Sequence, residues 1–374
     1  MRIPVLLFVA LYLGLLLGGP LGPASARAQP TIAADSVGRV LAEGQPGGGV
    51  IGLLHDDTTS VHAFGVVDST GASPTAHTVF EIGSITKTVT GLLLAERIEQ
   101  GRLRPTTPVP QLLPDSVSLA RADTVGDATM TLAHLAMHRS GLPRLPSNLE
   151  AGASPWDPYA AYGDRALYAF LDDYTLPRAP GKTYEYSNLG MGLLGALLAR
   201  RADTTYAALV QQRIATPLGL SDTRIHLTDS QEERFAQGYT RAGLPASPWH
   251  FEALAGAGAL RSTAADLLIY LRAHRAALHA DADTSSILTQ AMQRALRPRA
   301  TIDSENTRIG FAWHEVRRDG HRIVVHTGGT GGFRSFVGLD RATGHGAVVL
   351  VNASRSSDRV TEAGLHLIEA LRAD

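Results

Sequence analysis

The sequence contains no cysteine among its 374 residues. This absence excludes disulfide bonds, thiolate metal ligands, cysteine nucleophiles and a lipid anchor attached through cysteine. Charged residues make up only 18% of the chain, and their formal sum is −1. Because no basic excess is present, the composition argues against a nucleic-acid partner. The hydrophobic content of 44% is that of an ordinary globular protein.

Lysine is also scarce, since Lys87 and Lys182 are the two lysines of the chain and arginine supplies the other basic side chains. Arginine can replace lysine as a surface cation, but it cannot lose its proton near neutral pH. A lysine retained against this bias indicates that a free amine is required at that position.

The first residues, MRIPVLLFVALYLGLLLGGPLGPASARAQP, have the pattern of a secretory signal peptide. One basic residue precedes a short apolar run, and small residues allow cleavage after Ala26 or Ala28. The alternative is an uncleaved anchor, for which the apolar run is short. We therefore predict a signal peptide over residues 1–28 and an exported protein, periplasmic or secreted, without stable membrane insertion after cleavage.

Strand patterns are found towards both ends of the remaining chain, and helix patterns lie between them. GGGVIGLLHDD and SVHAFGVVDS read as two strands, and a helix follows from Ser84 to about Gln100, ended by Gly101. Asp319-Gly320 predicts a two-residue hairpin turn. The other predicted strands are RIGFAWHEVRR, HRIVVHTGG, FRSFVGLD and GAVVLVNAS, and RVTEAGLHLIEALRA predicts a last helix.

The segments between these ends favour helices, namely MTLAHLAMHRSGLP, DRALYAFLDDY, GMGLLGALLARRA, TYAALVQQRIATPLGL and TAADLLIYLRAHRAAL. We predict a mixed α/β (α+β) fold, in which an antiparallel sheet built from both chain ends is flanked by helices. The predicted domain covers residues 29–374. Its sheet subdomain spans about 29–100 and 300–374, and its inserted, mostly helical subdomain spans about 101–299. A cleft is expected between the two.

Ser84 and Lys87 lie three residues apart at the start of an apolar helix, in the sequence FEIGSITKTVTG. This spacing places both side chains on one helical face. A neutral amine there can accept the serine proton, which requires a pKa lowered by roughly 3 units from its reference value. The alternative is a capping serine beside a solvated lysine. The apolar flanking residues favour a buried lysine instead.

Two further segments carry polar groups that could serve a site. PGKTYEYSNLG contains Tyr186 and Asn188 before an apolar helix; the tyrosine hydroxyl could act as a base, and the asparagine could orient a substrate or simply cap the helix. VVHTGGTGGFRSF ends a strand at His326-Thr327-Gly328-Gly329. Glycine beside a strand edge lets a ligand approach the backbone, although a plain hairpin turn has the same pattern.

Other patterns carry weaker indications. His134 and His138 are four residues apart, as in some helical metal sites, but no glutamate follows His134, and structural roles are favoured. Aromatic residues at 156–162 and 249–251 could line a cleft or anchor loops. No G-x-S-x-G sequence occurs, which argues against an α/β-hydrolase.

Taken together and in this order, S-x-x-K, Y-x-N and H-x-G resemble the motifs of the serine β-lactamase and penicillin-binding-protein-like superfamily. The resemblance covers essentially the whole chain after the predicted signal peptide. It is greatest to the class C β-lactamase-related branch, which also holds D-Ala-D-Ala carboxypeptidases, D-aminopeptidases and esterases. LAHLAMHRSGLP, AGAGALRSTAADL and IGFAWH are similar to connecting segments of that branch.

The resemblance implies a role for each matching residue. Ser84 would be the acyl-accepting nucleophile and Lys87 its activating partner, and Tyr186 would act first as general base and then as general acid. Asn188 would hold the substrate. The backbone N–H groups of Ser84 and Gly329 would form the oxyanion hole, in a substrate-binding strand that also contains His326, Thr327 and Gly328.

His326 departs from the family pattern, because many members carry a lysine there. A histidine is mostly neutral at pH 7, so strong β-lactamase activity is less expected than hydrolysis of esters or unusual amides. Arg334 could supply the missing charge. The resemblance therefore implies a serine acyl hydrolase that acts on a small-molecule or peptide substrate without metal or organic cofactor. The alternative is a catalytically silent binding or sensing module.

Overall fold

The computed structural model describes residues 28–44, 46–119, 129–150, 153–280, 286–303, 306–355 and 357–372. The predicted signal peptide lies outside this part of the chain, except for its last residue. None of the described helices combines the length and the apolarity that a membrane crossing requires.

The N-terminal elements lead directly to the Ser84 motif. The two predicted strands are confirmed, and Gly101 ends the predicted helix with φ +69°. Its N–H bonds to the carbonyl of Ile98 at 2.9 Å, as expected of a glycine just beyond a helix. The elements are α1 (Ala28–Ala42), β1 (Gly48–His55), β2 (Thr58–Gly65), β3 (Phe80–Glu81), a 3-10 turn (Gly83–Ile85) and α2 (Thr86–Glu99).

The middle of the chain is mostly helical, as predicted, but α3 is much shorter than its segment because His138 adopts a left-handed conformation with φ +55°. The helix at 287–296 was not predicted. The elements are α3 (Leu132–Ala136), α4 (Asp164–Asp173), α5 (Asn188–Arg201), α6 (Tyr206–Val210), α7 (Thr216–Leu218), α8 (Asp229–Glu232), β4 (Arg261–Ser262), α9 (Ala264–His279) and α10 (Ile287–Leu296).

The C-terminal strands complete an eight-stranded antiparallel sheet of order β2-β1-β10-β9-β8-β7-β6-β5. Asp319-Gly320 forms the predicted two-residue turn, with φ +49° and +80°. The elements are β5 (Ala300–Thr301), β6 (Thr307–Ile309), β7 (His314–Arg318), β8 (His321–Gly329), β9 (Arg334–Asp340), β10 (Gly346–Val351) and α11 (Ser357–Ala370).

The single strand predicted over RIGFAWHEVRR is wrong, because the segment is divided into β6 and β7. Between them, the N–H of Phe311 bonds to the carbonyl of Ala295, and that of Ala312 bonds to the carbonyl of Ala136. These bonds tie residues 310–313 to the helical part of the chain instead of to the sheet. As a result, His314 begins a new strand beside the helices.

Side chains of the sheet alternate between two apolar clusters. Val50 and Leu54 of β1 belong to one cluster, whereas Ile51 and Leu53 belong to the other. This period of two is expected for a strand that is covered on both faces. Helices α1 and α11 cover one face, and α9 and α2 belong to the cluster on the opposite face.

Candidate active site

Ser84 lies in the 3-10 turn between β3 and α2, where its side chain is half-buried. The turn passes very close to the end of β8. Gly83 has φ +48°, and a Cβ built on it would lie 2.6 Å from the amide nitrogen of Gly329. Only glycine fits this position, because the approach is too tight and the conformation is left-handed. The backbone of Gly329 is thereby brought against the residue that precedes Ser84.

Lys87 is fully buried, one turn beyond Ser84. Its Nζ lies 2.9 Å from Ser84 Oγ and donates to the carbonyl of Ala257 at 2.5 Å. Burial, together with the positive charge of Arg144, lowers the pKa of Lys87 well below its ordinary value of 10.5. A neutral amine at this separation can accept the proton of the serine hydroxyl.

Tyr186 lies next to both groups. Lys87 Nζ is 5.0 Å from the centre of the Tyr186 ring. Burial raises the pKa of Tyr186 to about 12, an effect that contact with the Ser84 hydroxyl and the charge of Arg144 partly offset. The tyrosine therefore carries its proton at neutral pH. As a resting group, it is a proton donor rather than a base.

Three imidazoles surround the Tyr186 ring. The ring centres of His138, His314 and His326 lie 4.4, 6.5 and 6.4 Å from that of Tyr186, respectively. Burial is the main cause that lowers the pKa of each histidine, to about 4 for His314 and well below 6.5 for the other two. All three are therefore neutral at pH 7.

The hydrogen bonds of these imidazoles fix their orientation. His138 Nδ1 accepts the N–H of Ser187 at 3.1 Å, and His314 Nε2 lies 2.9 Å from the hydroxyl of Tyr184. His326 Nδ1 lies 2.7 Å from the carbonyl of Thr327, to which it must donate, so its Nε2 is left as an acceptor. Within the described residues, Nε2 of His138 and of His326 are buried without a partner.

Asn188 is the first residue of α5, but it is not the cap of that helix. Ser187 is the cap, because its hydroxyl accepts the N–H of Gly190 at 2.8 Å. Asn188 donates through Nδ2 to the hydroxyl of Tyr159 at 3.0 Å, and its Oδ1 is buried without a partner among the described residues. The structure thus places Asn188 beside Tyr186 with one amide atom free.

Tyr159 connects the two aromatic segments to this site. Its ring stacks on Phe251 at 4.5 Å and lies 5.5 Å from Trp249. Trp249 in turn packs against Gly331, just beyond β8. Tyr159, Trp249 and Phe251 therefore form an aromatic wall beside Asn188, whereas Trp156 is 61% exposed.

Arg334 is close to Gly329, yet its guanidinium is engaged in stabilising loops. It donates to the carbonyls of Thr330, Phe333 and Arg355 at 2.6–2.9 Å and to the hydroxyl of Ser354 at 2.7 Å. These four bonds use most of its donors. The suggestion that Arg334 replaces a missing lysine therefore has no support in its contacts.

Sequence reasoning missed Arg144, Tyr184 and His314 as parts of the site, and treated His138 as a structural residue. Arg144 Cζ lies 5.1 Å from the centre of the Tyr186 ring. Arg144 and His314 come from segments that are distant in sequence from Tyr186, and no motif spacing connects them, whereas Tyr184 lies in the same segment as Tyr186. The usable signals are the similarity of HRSGLP, which contains His138, and of IGFAWH, which contains His314, to family segments.

His134 and His138 have separate partners, and His138 is the one that lies beside the Tyr186 ring. His134 Nδ1 accepts the N–H of Thr131 at 3.3 Å, in the cap of α3.

Among the described residues, His55, Asp56 and His345 have ligand atoms within 4.8 Å of one another, at the turns that adjoin β1 and β10. This group lies outside the site around Ser84 and could hold a metal ion on the basis of its ligand types.

Comparisons with known proteins give a consistent result. A family model described as Beta-lactamase matches residues 33–371. A beta-lactamase of Pseudomonas fluorescens is 26% identical over 350 residues, covering 86% of this chain and 92% of that protein. The D-alanyl-D-alanine-carboxypeptidase/endopeptidase AmpH of Escherichia coli (strain K12) is 28% identical over 293 residues, covering 75% and 72%. The crystal structure of a beta-lactamase from Sulfitobacter sp. EE-36 has a TM-score of 0.78 at 24% identity, covering 93% and 99%.

Proposed function

Since the chain belongs to the beta-lactamase family and is a serine hydrolase, we propose that it is exported and hydrolyses acyl substrates through a covalent intermediate on Ser84. The observation that carries this proposal is the distance of 2.9 Å between Ser84 Oγ and the nitrogen of the fully buried Lys87. A serine hydroxyl needs an adjacent base to become a nucleophile, and a desolvated amine is suited to that task.

In the proposed reaction, Ser84 Oγ attacks the acyl carbonyl while its proton passes to Lys87 Nζ. The carbonyl electrons move to the oxygen, which the backbone N–H groups of Ser84 and Gly329 would bind. When the carbonyl re-forms, the bond to the leaving group breaks, and the leaving group takes a proton. Water then attacks the acyl-enzyme and releases the acid and free Ser84.

Tyr186 is assigned the transfer of the proton to the leaving group. Its pKa of about 12 makes the phenol, and not the phenolate, the resting form. Lys87 therefore serves as the base for attack, and this revises the expectation that Tyr186 begins the reaction as a base. After Tyr186 has donated its proton to the leaving group, the protonated Lys87 can return a proton to the Tyr186 oxygen, since the amine and the ring are neighbours.

His326 directs the proposed substrate preference towards esters and unusual amides. It is neutral, and its Nε2, which has no partner among the described residues, offers a lone pair where many relatives would offer a lysine cation. A substrate carboxylate gains nothing from a neutral acceptor. β-Lactam turnover should accordingly be weaker than turnover of activated esters. The partner is a small-molecule or peptide acyl compound.

The test is covalent labelling followed by measurement of intact mass. A fluorophosphonate or a penicillin should add its mass to the protein, and Ser84→Ala should abolish the addition. A panel of p-nitrophenyl esters, nitrocefin and D-amino-acid peptides should show turnover that depends on Ser84. If every probe leaves both proteins unlabelled and no substrate is turned over, the silent binding module is favoured instead.

A further inference from the structure

Arg144 is held at the edge of the site by its own backbone. It follows Pro143 in the loop after α3, and its carbonyl accepts the N–H of Asn188 at 2.9 Å. Its side chain is exposed, and its Cζ lies 5.1 Å from the centre of the Tyr186 ring. The cation is thus accessible from solvent and close to the residues that would carry the reaction.

The guanidinium of Arg144 has no anionic partner among the described residues. No carboxylate oxygen of that part of the chain forms an ion pair with it within 4.0 Å, and its guanidinium nitrogens donate none of the side-chain hydrogen bonds found there. Other arginines near the site are engaged differently. Arg139 donates to three backbone carbonyls, and Arg334 donates to three carbonyls and a hydroxyl.

The charge of Arg144 acts on several groups of the site. It lowers the pKa of Lys87 and His138, and it opposes the effect of burial on the three tyrosines Tyr159, Tyr184 and Tyr186. The carboxylate that acts in the opposite sense is that of Asp303, at Tyr184. Since Lys87 and the three imidazoles are neutral, Arg144 is a positive charge of the site that forms no ion pair with any described residue.

We propose that Arg144 binds a carboxylate of the substrate on the Tyr186 side of the site, so that, among the esters and unusual amides of the proposed function, those that carry a carboxylate within its reach are preferred. This inference rests on the proposed function of Ser84. A guanidinium offers paired N–H donors that match the two oxygens of a carboxylate. His326 offers a hydrogen-bond acceptor, which does not attract an anion, and the donors of Arg334 are mostly used by carbonyl groups. Arg144 is therefore the group that would bind the carboxylate, on the Tyr186 side of the site.

Three chromogenic esters test the proposal. The first, 4-nitrophenyl phenylacetate, carries no carboxylate. The second, 4-nitrophenyl (4-carboxyphenyl)acetate, carries one on the acyl group, and the third, the phenylacetate ester of 3-carboxy-4-nitrophenol, carries one on the leaving group. In Arg144→Gln, kcat/KM for at least one carboxylate ester should fall about tenfold or more, mainly through KM. The neutral ester should change much less, and Arg144→Lys should retain part of the preference.

For each enzyme, kcat/KM for a carboxylate ester is divided by kcat/KM for the neutral ester, at a pH above the acid limb of the pH–rate profile. This ratio is then compared between the wild-type enzyme and the variants. Arg144 also lowers the pKa of Lys87, and its loss would affect all three esters through that route. An equal loss on all esters would overturn the proposal and leave Arg144 a positioning role. Equal kcat/KM of the wild-type enzyme for the three esters would overturn it too.

Failure of the proposed function has a different signature, namely no Ser84-dependent turnover of any ester. In that case, calorimetric titration with 4-carboxyphenylacetamide and with phenylacetamide still decides the matter. Binding of the carboxylate amide that Arg144→Gln weakens about tenfold would support the anion site. Equal binding of the two amides would contradict it.

Discussion

At the scale of the residue, the proposed chemistry depends on Lys87 having lost its proton. The side chain is fully buried, and burial with the charge of Arg144 lowers its pKa well below the ordinary value of 10.5. The amine can then accept the proton of Ser84. As pH falls through the lowered pKa, the amine becomes protonated and can no longer act as a base. Activity should therefore decline on the acid side.

Lys87→Arg should reduce kcat by about a hundredfold or more, because a guanidinium remains protonated and general-base assistance is lost. The chain provides a matched control, since Lys182 is its other lysine and is exposed. Lys182→Arg should retain wild-type activity. Steady-state ester hydrolysis measures both variants.

Because a larger side chain at a buried position can also disturb folding, Lys87→Ala provides a second measurement. Added methylamine should restore part of its activity with a dependence on the concentration of free amine. Full activity in Lys87→Arg would show that Ser84 is activated in another way.

At the scale of the element, the site depends on how closely α2 approaches the segment 310–313. A Cβ built on Gly91 of α2 would lie 2.5 Å from the carbonyl oxygen of Phe311. The same segment leads to His314, which lies beside the Tyr186 ring. The absence of a side chain at Gly91 therefore lets the start of β7 come near the helix that carries Lys87.

Gly91→Ala should lower the free energy of unfolding by up to about 2 kcal/mol. Alanine favours a helix over glycine by about 1 kcal/mol, but overpacking against a backbone oxygen that cannot rotate away costs about 1–3 kcal/mol. Urea unfolding measures the change, and the m-value should stay constant.

Gly163→Ala is the control for this change, because the nearest atom to its added Cβ, Glu252 Oε2, would be 3.6 Å away. Gly163 is the N-cap of α4, where glycine is preferred over alanine, so this variant should lose at most about 1 kcal/mol and none of it through overpacking. Stabilisation by Gly91→Ala would mean that α2 and the carbonyl of Phe311 are further apart than described.

Local sequence patterns predicted the elements that carry the principal motifs. The apolar segments of β1 and β8 and the glycine that ends α2 are signals between residues close in sequence, and these elements were predicted correctly. The break between β6 and β7 was not, because it arises from backbone bonds to Ala136 and Ala295. Arg144 and His314 were missed for the same reason, since only tertiary packing brings them to Tyr186.

At the scale of the whole molecule, the candidate site joins all three parts of the chain. Ser84 comes from the N-terminal part, Tyr186 from the helical part and His326 from a C-terminal strand. None of these segments contains the site by itself. Its geometry therefore depends on the folded chain as a unit, and conditions that unfold the chain should abolish activity together with structure.

Buried neutral histidines make that stability depend on pH. His274 of α9 is fully buried, its Nδ1 lies 2.9 Å from the carbonyl of Tyr270, and burial lowers its pKa from 6.5 to about 4. Between these two values the unfolded chain binds a proton that the folded chain does not. The stabilisation is therefore complete above about pH 6.5 and is lost as pH falls towards 4.

His274→Phe tests this dependence because it retains an aromatic ring beside Tyr270 and Trp313 but cannot bind a proton. A shift from 6.5 to about 4 corresponds to about 3 kcal/mol between the two pH limits. The variant should lose up to that much of the wild-type pH dependence, as measured by urea unfolding at pH 7.5, 6, 5 and 4. The exposed His226, replaced by Gln, is the control and should leave the slope unchanged. An unaltered slope in His274→Phe would show that this imidazole takes up no proton on unfolding, and that the acid sensitivity of the fold arises from other groups.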